Sequence, residues 1–338
     1  MTADPLSRPD ALDAAPSPGP RDPELAALAE QSRQQGRRAL PQLTVAEARA
    51  RTTQGNQLCS DGPRTGLTVD EHTATVDGRA ITLRIYRPEK PSLATVVYFH
   101  GGGWITGDLD YGDELCRFLT VDASCTVVSV DYRLSPEHPF PVPLDDAYAA
   151  LIWIDRNRRD ATPLIVAGDS AGGNLAAACT LRAREERGGP AIDAQVLIYP
   201  VTDVNLDRPS YRRCAEGFPI GRADMEHCFN LYVPRPEQRT LPEVAPLRAA
   251  SHRHLPPAVV VVAGHDPLRD EGIAYAERLR AADVPVRLLD FPDLCHAFLR
   301  FSRVSAAVRR ARSAIIEAVR VLIAQLSAAP AGTPNMKP

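Results

Sequence analysis

The chain has 338 residues, 44% of them hydrophobic, and a formal net charge of −3. That composition supplies a core of the size that α/β domains bury as one unit, and it excludes a wholly disordered chain. The weak negative charge leaves no footprint for nucleic acid, and no apolar run reaches the roughly 18 residues of a membrane-spanning helix.

In chain order, residues 1 to about 22 are rich in Pro, Ala and Asp and are expected to form a disordered arm. They begin Met1-Thr2-Ala3-Asp4-Pro5, without the basic and apolar regions of a secretory signal, so a cytoplasmic protein is expected. From Glu24 to about Ala50, apolar residues including Leu25, Leu28, Ala29 and Leu40 recur at helical spacing before a Gly- and Thr-containing stretch up to Gly66. Residues 23–66 read as helices preceding a sheet. Strand candidates follow at Ile81 to Tyr86, Thr95 to Phe99, Thr126 to Val130, Leu164 to Ala167, Ala194 to Tyr199, Ala258 to Ala263 and Val286 to Phe291. Helical segments separate most of them, as parallel βαβ units require, so the core over residues 67–327 is expected to be α/β with a mostly parallel sheet. Residues 328–338 are expected to be a flexible tail. From Asp203 to Pro234 the alternation breaks, and Tyr211, Phe218, Met225, Phe229, Leu231 and Tyr232 occupy a segment longer than an ordinary connection.

The 7 cysteines are odd in number, scattered and free of metal-ligand spacing, so reduced thiols and no metal are expected. His252-x-His254 is the one close histidine pair; without a third ligand it reads as loop surface. The basic run Val308-Arg309-Arg310-Ala311-Arg312 reads as the solvated face of a helix.

Two motifs carry chemistry. Gly168-Asp169-Ser170-Ala171-Gly172 follows the apolar run Pro163-Leu164-Ile165-Val166-Ala167 and opens into a helix-compatible stretch, a strand–turn–helix context that exposes a serine hydroxyl above a sheet edge. Ser170 is thus a candidate nucleophile. His100-Gly101-Gly102-Gly103-Trp104 closes another strand candidate, and successive glycines let backbone N–H groups converge on one spot, as an oxyanion hole requires. A serine needs a base, and the base an orienting carboxylate; on this scaffold they run Ser, acid, His along the chain. Of the 8 histidines only His296 follows every candidate acid. Asp266 is the first choice of acid because it follows the strongest β-run and sits at a strand's carboxyl end. Asp270 and Glu271 fall about a helical turn later, and Asp293 is close to His296 in sequence.

These motifs, with Asp266-Pro267-Leu268-Arg269-Asp270-Glu271 and Asp131-Tyr132-Arg133-Leu134-Ser135-Pro136-Glu137-His138-Pro139-Phe140-Pro141, resemble the bacterial hormone-sensitive-lipase-like esterases, family IV of the α/β-hydrolases, over roughly residues 70 to 325. The resemblance implies an α/β-hydrolase fold with a helical cap, formed by the N-terminal helices and about residues 203–234. It further implies hydrolysis of carboxylic esters by Ser170, His296 and Asp266, and an oxyanion hole from the N–H groups of Gly102, Gly103 and Ala171. One departure is Ala297, which follows the histidine where glycine is common; it reads as a change in loop packing that leaves the imidazole in place. Under such a cap, Trp104, Phe218, Met225 and Phe229 are candidates to line the acyl pocket, and acyl groups of roughly two to six carbons are expected to fit best. No cofactor is expected, and the partner is a small-molecule ester, taken by a monomer or homodimer. An acyltransferase, and a deacetylase or amidase acting on a natural product, would show the same triad; a non-catalytic ligand-binding protein on the same fold is disfavoured by the presence of all three residues.

Overall fold

The computed structural model describes residues 19–60, 64–76, 78–158 and 162–328. Eight strands, β1 (Leu67–Val76), β2 (Arg79–Pro88), β3 (Ala94–Phe99), β4 (Cys125–Asp131), β5 (Leu164–Asp169), β6 (Ala194–Ile198), β7 (Ala258–His265) and β8 (Val286–Cys295), form one sheet in the order β1-β2-β4-β3-β5-β6-β7-β8. The β1–β2 and β2–β4 pairs are antiparallel and the other pairs parallel. Parallel strands buried on both faces should be almost wholly apolar. β3, β5 and β6 are buried at every position.

Alternate residues of each strand point to opposite faces. Val97 and Phe99 join the core under α4 (Val142–Asn157), α5 (Ala171–Glu185) and α8 (Arg269–Ala281), whereas Val96 and Tyr98 join the core under α3 (Asp113–Asp122) and α9 (Ala306–Ala328). The architecture is thus the α/β-hydrolase fold expected from the sequence.

All seven strand candidates are present, but β1 was not expected. It is an edge strand with one neighbour, and Ala74 is its only buried residue, so it shows no apolar run. Its stability comes from pairing, for example Glu71 directly opposite Arg84 and bound to it at 2.8 Å.

The N-terminal helices are α1 (Pro23–Gln34) and α2 (Val45–Cys59). Asp22 caps α1 by accepting from the Leu25 N–H at 3.0 Å, and Thr44 with Glu47 forms a capping box on α2. α2 continues well beyond Ala50, through Thr52, Thr53 and Gly55, because Arg300 packs over Gly55 and bonds to the Thr52 carbonyl. Two short helices, α6 (Pro209–Arg213) and α7 (Arg222–Tyr232), lie between β6 and β7. The expected arm lies outside the described residues as far as residue 18; Arg21 and Asp22 are docked, both donating backbone N–H groups to the Asp293 carbonyl. The tail from 329 onward also lies outside them.

Two surface readings need correction. His252 is buried, with Nε2 3.0 Å from the Pro246 carbonyl oxygen. Arg312 is buried against Glu114 and over the Phe118 ring, while Arg309 and Arg310 are exposed. The six cysteines whose side chains are described are free and buried. Among the described residues no helix is long and apolar enough to cross a membrane, and no cluster of three metal-ligating side chains exists.

Candidate active site

The sheet order brings the two motifs together. From β3 the chain goes on to pair with β4 on one side and β5 on the other, and ligand sites in open α/β sheets collect at such a reversal. The glycine loop follows β3 and Ser170 follows β5, with Phe99 opposite Gly168 in the ladder.

Ser170 sits at φ 55°, ψ −117°, a strained conformation for a side-chain-bearing residue. Backbone bonds hold it there: its N–H donates to the Ile198 carbonyl at 2.9 Å, and its carbonyl accepts from Asn174 and Val201 at 3.1 and 3.2 Å. The flanking glycines are steric requirements. A Cβ on Gly172 would lie 1.9 Å from the Phe99 carbonyl oxygen, and one on Gly168 would lie 2.3 Å from the Gly172 oxygen.

His296 follows the last residue of β8, and its Nε2 lies 3.0 Å from Ser170 Oγ. Its Nδ1 lies 2.8 Å from Asp266 Oδ2, and the other carboxylate oxygen accepts from the Leu268 N–H at 2.8 Å. All three side chains are buried. Of the other acids, Asp270 accepts from the Ser210 N–H and Glu271 from the Thr202 N–H, and Asp293 is exposed. Ala297 is left-handed, at φ 52° and ψ 29°, a conformation that glycine adopts without penalty.

Gly102 and Gly103 have φ of 116° and 63°, and no backbone bond among the described residues uses either N–H. Ala171 begins α5, so its N–H has no partner within the helix. Asp169, to which sequence reasoning assigned no role, ties this loop to the serine turn: its Oδ1 accepts from the Gly101 N–H at 2.8 Å and from Tyr98 Oη at 2.6 Å. Burial raises its carboxyl above the usual range, against the lowering effect of those two bonds. Beneath the loop, buried His100 is pushed down to about 4 by desolvation, so it is neutral near pH 7.

Ser170 and His296 open into a cavity of about 690 Å³, lined from above by α1, α2 and the α7 region. Of the expected lining residues, Phe218 and Met225 face it. Trp104 and Phe229 do not. Three successive positive φ values, at Gly102, Gly103 and Trp104, turn the chain so that the indole enters the core, stacked on Tyr232 with ring centroids 4.2 Å apart. Phe229 follows Cys228, which lines the cavity, but its own ring packs against Trp104, with centroids 5.7 Å apart. The wall also holds Arg37, Arg51 and Arg300, which no motif marked.

A family model described as the alpha/beta hydrolase fold matches residues 96–300. Carboxylesterase NlhH of Mycobacterium tuberculosis is 41% identical over 255 residues, covering 72% of this chain and 80% of that protein. The ethyl acetate hydrolase of Pseudomonas putida is 37% identical over 261 residues, covering 74% and 81%. The crystal structure of a thermostable esterase from Pseudomonas putida ECU1011 superposes with a TM-score of 0.85 at 35% identity, covering 92% and 98%.

Proposed function

As the chain belongs to the hormone-sensitive-lipase-like carboxylesterases of the α/β-hydrolase fold and is a carboxylic ester hydrolase, we propose that Ser170, His296 and Asp266 perform that hydrolysis on small esters of short acyl chains. The observation that carries this assignment is the buried relay from Asp266 Oδ2 to His296 Nδ1 at 2.8 Å and from Nε2 to Ser170 Oγ at 3.0 Å. Ser170 Oγ attacks the ester carbonyl carbon as its proton passes to His296 Nε2. Asp266 holds the imidazole tautomer and stabilises its charged form. The carbonyl π electrons move to oxygen, which the N–H groups of Gly102, Gly103 and Ala171 receive. Collapse breaks the bond to the alkoxide, which leaves with the proton from His296, and water repeats the cycle to release the acid and free Ser170.

α1, α2 and the segment over residues 203–234 act together as the cap in this reading. Their junction is supported by the Leu40 N–H donating to Asp224 Oδ1 at 2.6 Å. The test is pre-steady-state: a para-nitrophenyl ester should release a burst of nitrophenol, and Ser170→Ala should abolish it and lower kcat by roughly 10⁴-fold or more. A variant that kept a tenth of the activity would remove Ser170 from the mechanism.

A further inference from the structure

The cavity wall carries charge that ester hydrolysis by itself does not use. Arg37 follows α1, Arg51 lies on α2 and Arg300 lies four residues beyond His296, and all three half-buried side chains line the cavity of Ser170. Their hydrogen bonds go to neutral oxygens. Arg37 donates to the Pro219 carbonyl, Arg51 to the Arg38 carbonyl at 2.6 Å, and Arg300 to the Thr52 carbonyl at 2.9 Å and to Asn56 Oδ1. None of the three forms an ion pair among the described residues, although arginines elsewhere are paired, as in Arg49–Glu137, Arg84–Asp110, Arg133–Asp146 and Arg248–Asp203. Among the described residues the one carboxylate in the lining is Asp224, and its two oxygens accept from the backbone N–H groups of Leu40 and Gly221.

Burial lowers the proton affinity of Arg37 and Arg51; Arg51 adds to the effect at Arg37, while Arg38 and Arg300 add to it at Arg51. Like charges gathered on a partly desolvated wall cost free energy that one shared carboxylate offsets only in part. An entering anion would remove that cost, and a guanidinium fork matches a carboxylate's two oxygens.

We propose that the preferred substrates are esters that also carry a carboxylate, held by Arg37, Arg51 and Arg300 while the ester carbonyl meets Ser170. The proposal rests on Ser170 being the nucleophile. The carboxylate could belong to the acyl half or to the alcohol half, and matched esters separate the two. Para-nitrophenyl hydrogen adipate against para-nitrophenyl hexanoate places the charge on the acyl side; para-acetoxybenzoate against para-acetoxybenzamide places it on the alcohol side.

In at least one pair the charged ester should have the higher kcat/KM, and the charged-to-neutral ratio should fall about tenfold in Arg51→Gln and less in Arg51→Lys. Because the ratio is internal to each variant, a partly unfolded preparation does not disturb it. With the unaltered enzyme, free adipate should raise KM for the neutral hexanoate ester and adipamide should not. Preference for the neutral member in both pairs, a ratio insensitive to Arg51→Gln, or equal inhibition by adipate and adipamide would each overturn the anion site while leaving the esterase reading standing. Failure to cleave any of the four esters would strike the reading of Ser170 itself, and this inference with it.

Discussion

Beneath the cavity, Ser170, His296, Asp266 and Asp169 are buried and held by strand ends and backbone hydrogen bonds. Above it, α1 and α2 present half-buried to exposed polar and charged groups such as Gln31, Arg51 and Thr52, while α7 contributes the buried Asp224, Met225 and Cys228. The lower region has no room for one added side-chain atom at the Gly172 approach to Phe99, where a Cβ would lie 1.9 Å from the carbonyl oxygen. The upper region is joined within itself by polar contacts such as Leu40 to Asp224, and α7 meets the core through Met225, Phe229 and Tyr232. Transition-state stabilisation requires preorganised donors and nucleophile, whereas choice of substrate requires only a shaped and charged wall. The contrast therefore separates rate from selectivity.

Gly172→Ala gives the strongest test. The added methyl must displace the serine turn from the end of β3, so kcat/KM should fall by about 10²–10³-fold for every ester alike, the scale of losing an oxyanion donor. A change in ester preference with rate retained would mean that the lower region is as adaptable as the upper.

His100 should make the lower region acid-sensitive. Its folded value of about 4 lies below the ordinary 6.5, so between these values the unfolded chain binds more protons and stability falls as pH falls. The loss across that window approaches about 3 kcal/mol from this residue alone. Urea unfolding at pH 6.5 and 4.5 should show the difference, and His100→Asn should flatten it; equal slopes for the two proteins would assign the acid sensitivity to other groups.

Ester length probes the upper region. Each methylene adds about 0.8 kcal/mol while apolar space remains, and overpacking then costs about 1–3 kcal/mol, so kcat/KM should peak within roughly two to six acyl carbons. Met225→Ala should move the peak to longer chains. A rate still climbing at sixteen carbons would refute a closed roof.

The smallest effect is expected at Ala297. Glycine would relieve its left-handed backbone, and Ala297→Gly should stabilise the protein by about 0.5–1 kcal/mol in urea titration without altering ester preference. A loss of stability would mean that packing of the buried methyl outweighs the backbone strain.

The sequence by itself determined the parallel core and singled out the residues that converge beneath the cavity. Buried strands appear as unbroken apolar runs, and the serine turn and glycine loop are made by the local backbone, so their residue types are dictated within a few positions. The chain order Ser, acid, His then selected Asp266 and His296, which the fold brings to within hydrogen-bonding distance. β1 stayed hidden because an exposed edge strand owes its form to its neighbour, and the far half of α2 because Arg300 supports it from 244 residues away at Asn56. Composition could nominate Trp104 and Phe229 as pocket residues, but only a backbone reversal and the reach of α7 decided that both belong to the core. The arginine wall was illegible for the same reason. Its members come from three separate elements, and nothing local to Arg37, Arg51 or Arg300 records that tertiary packing will place them around one cavity.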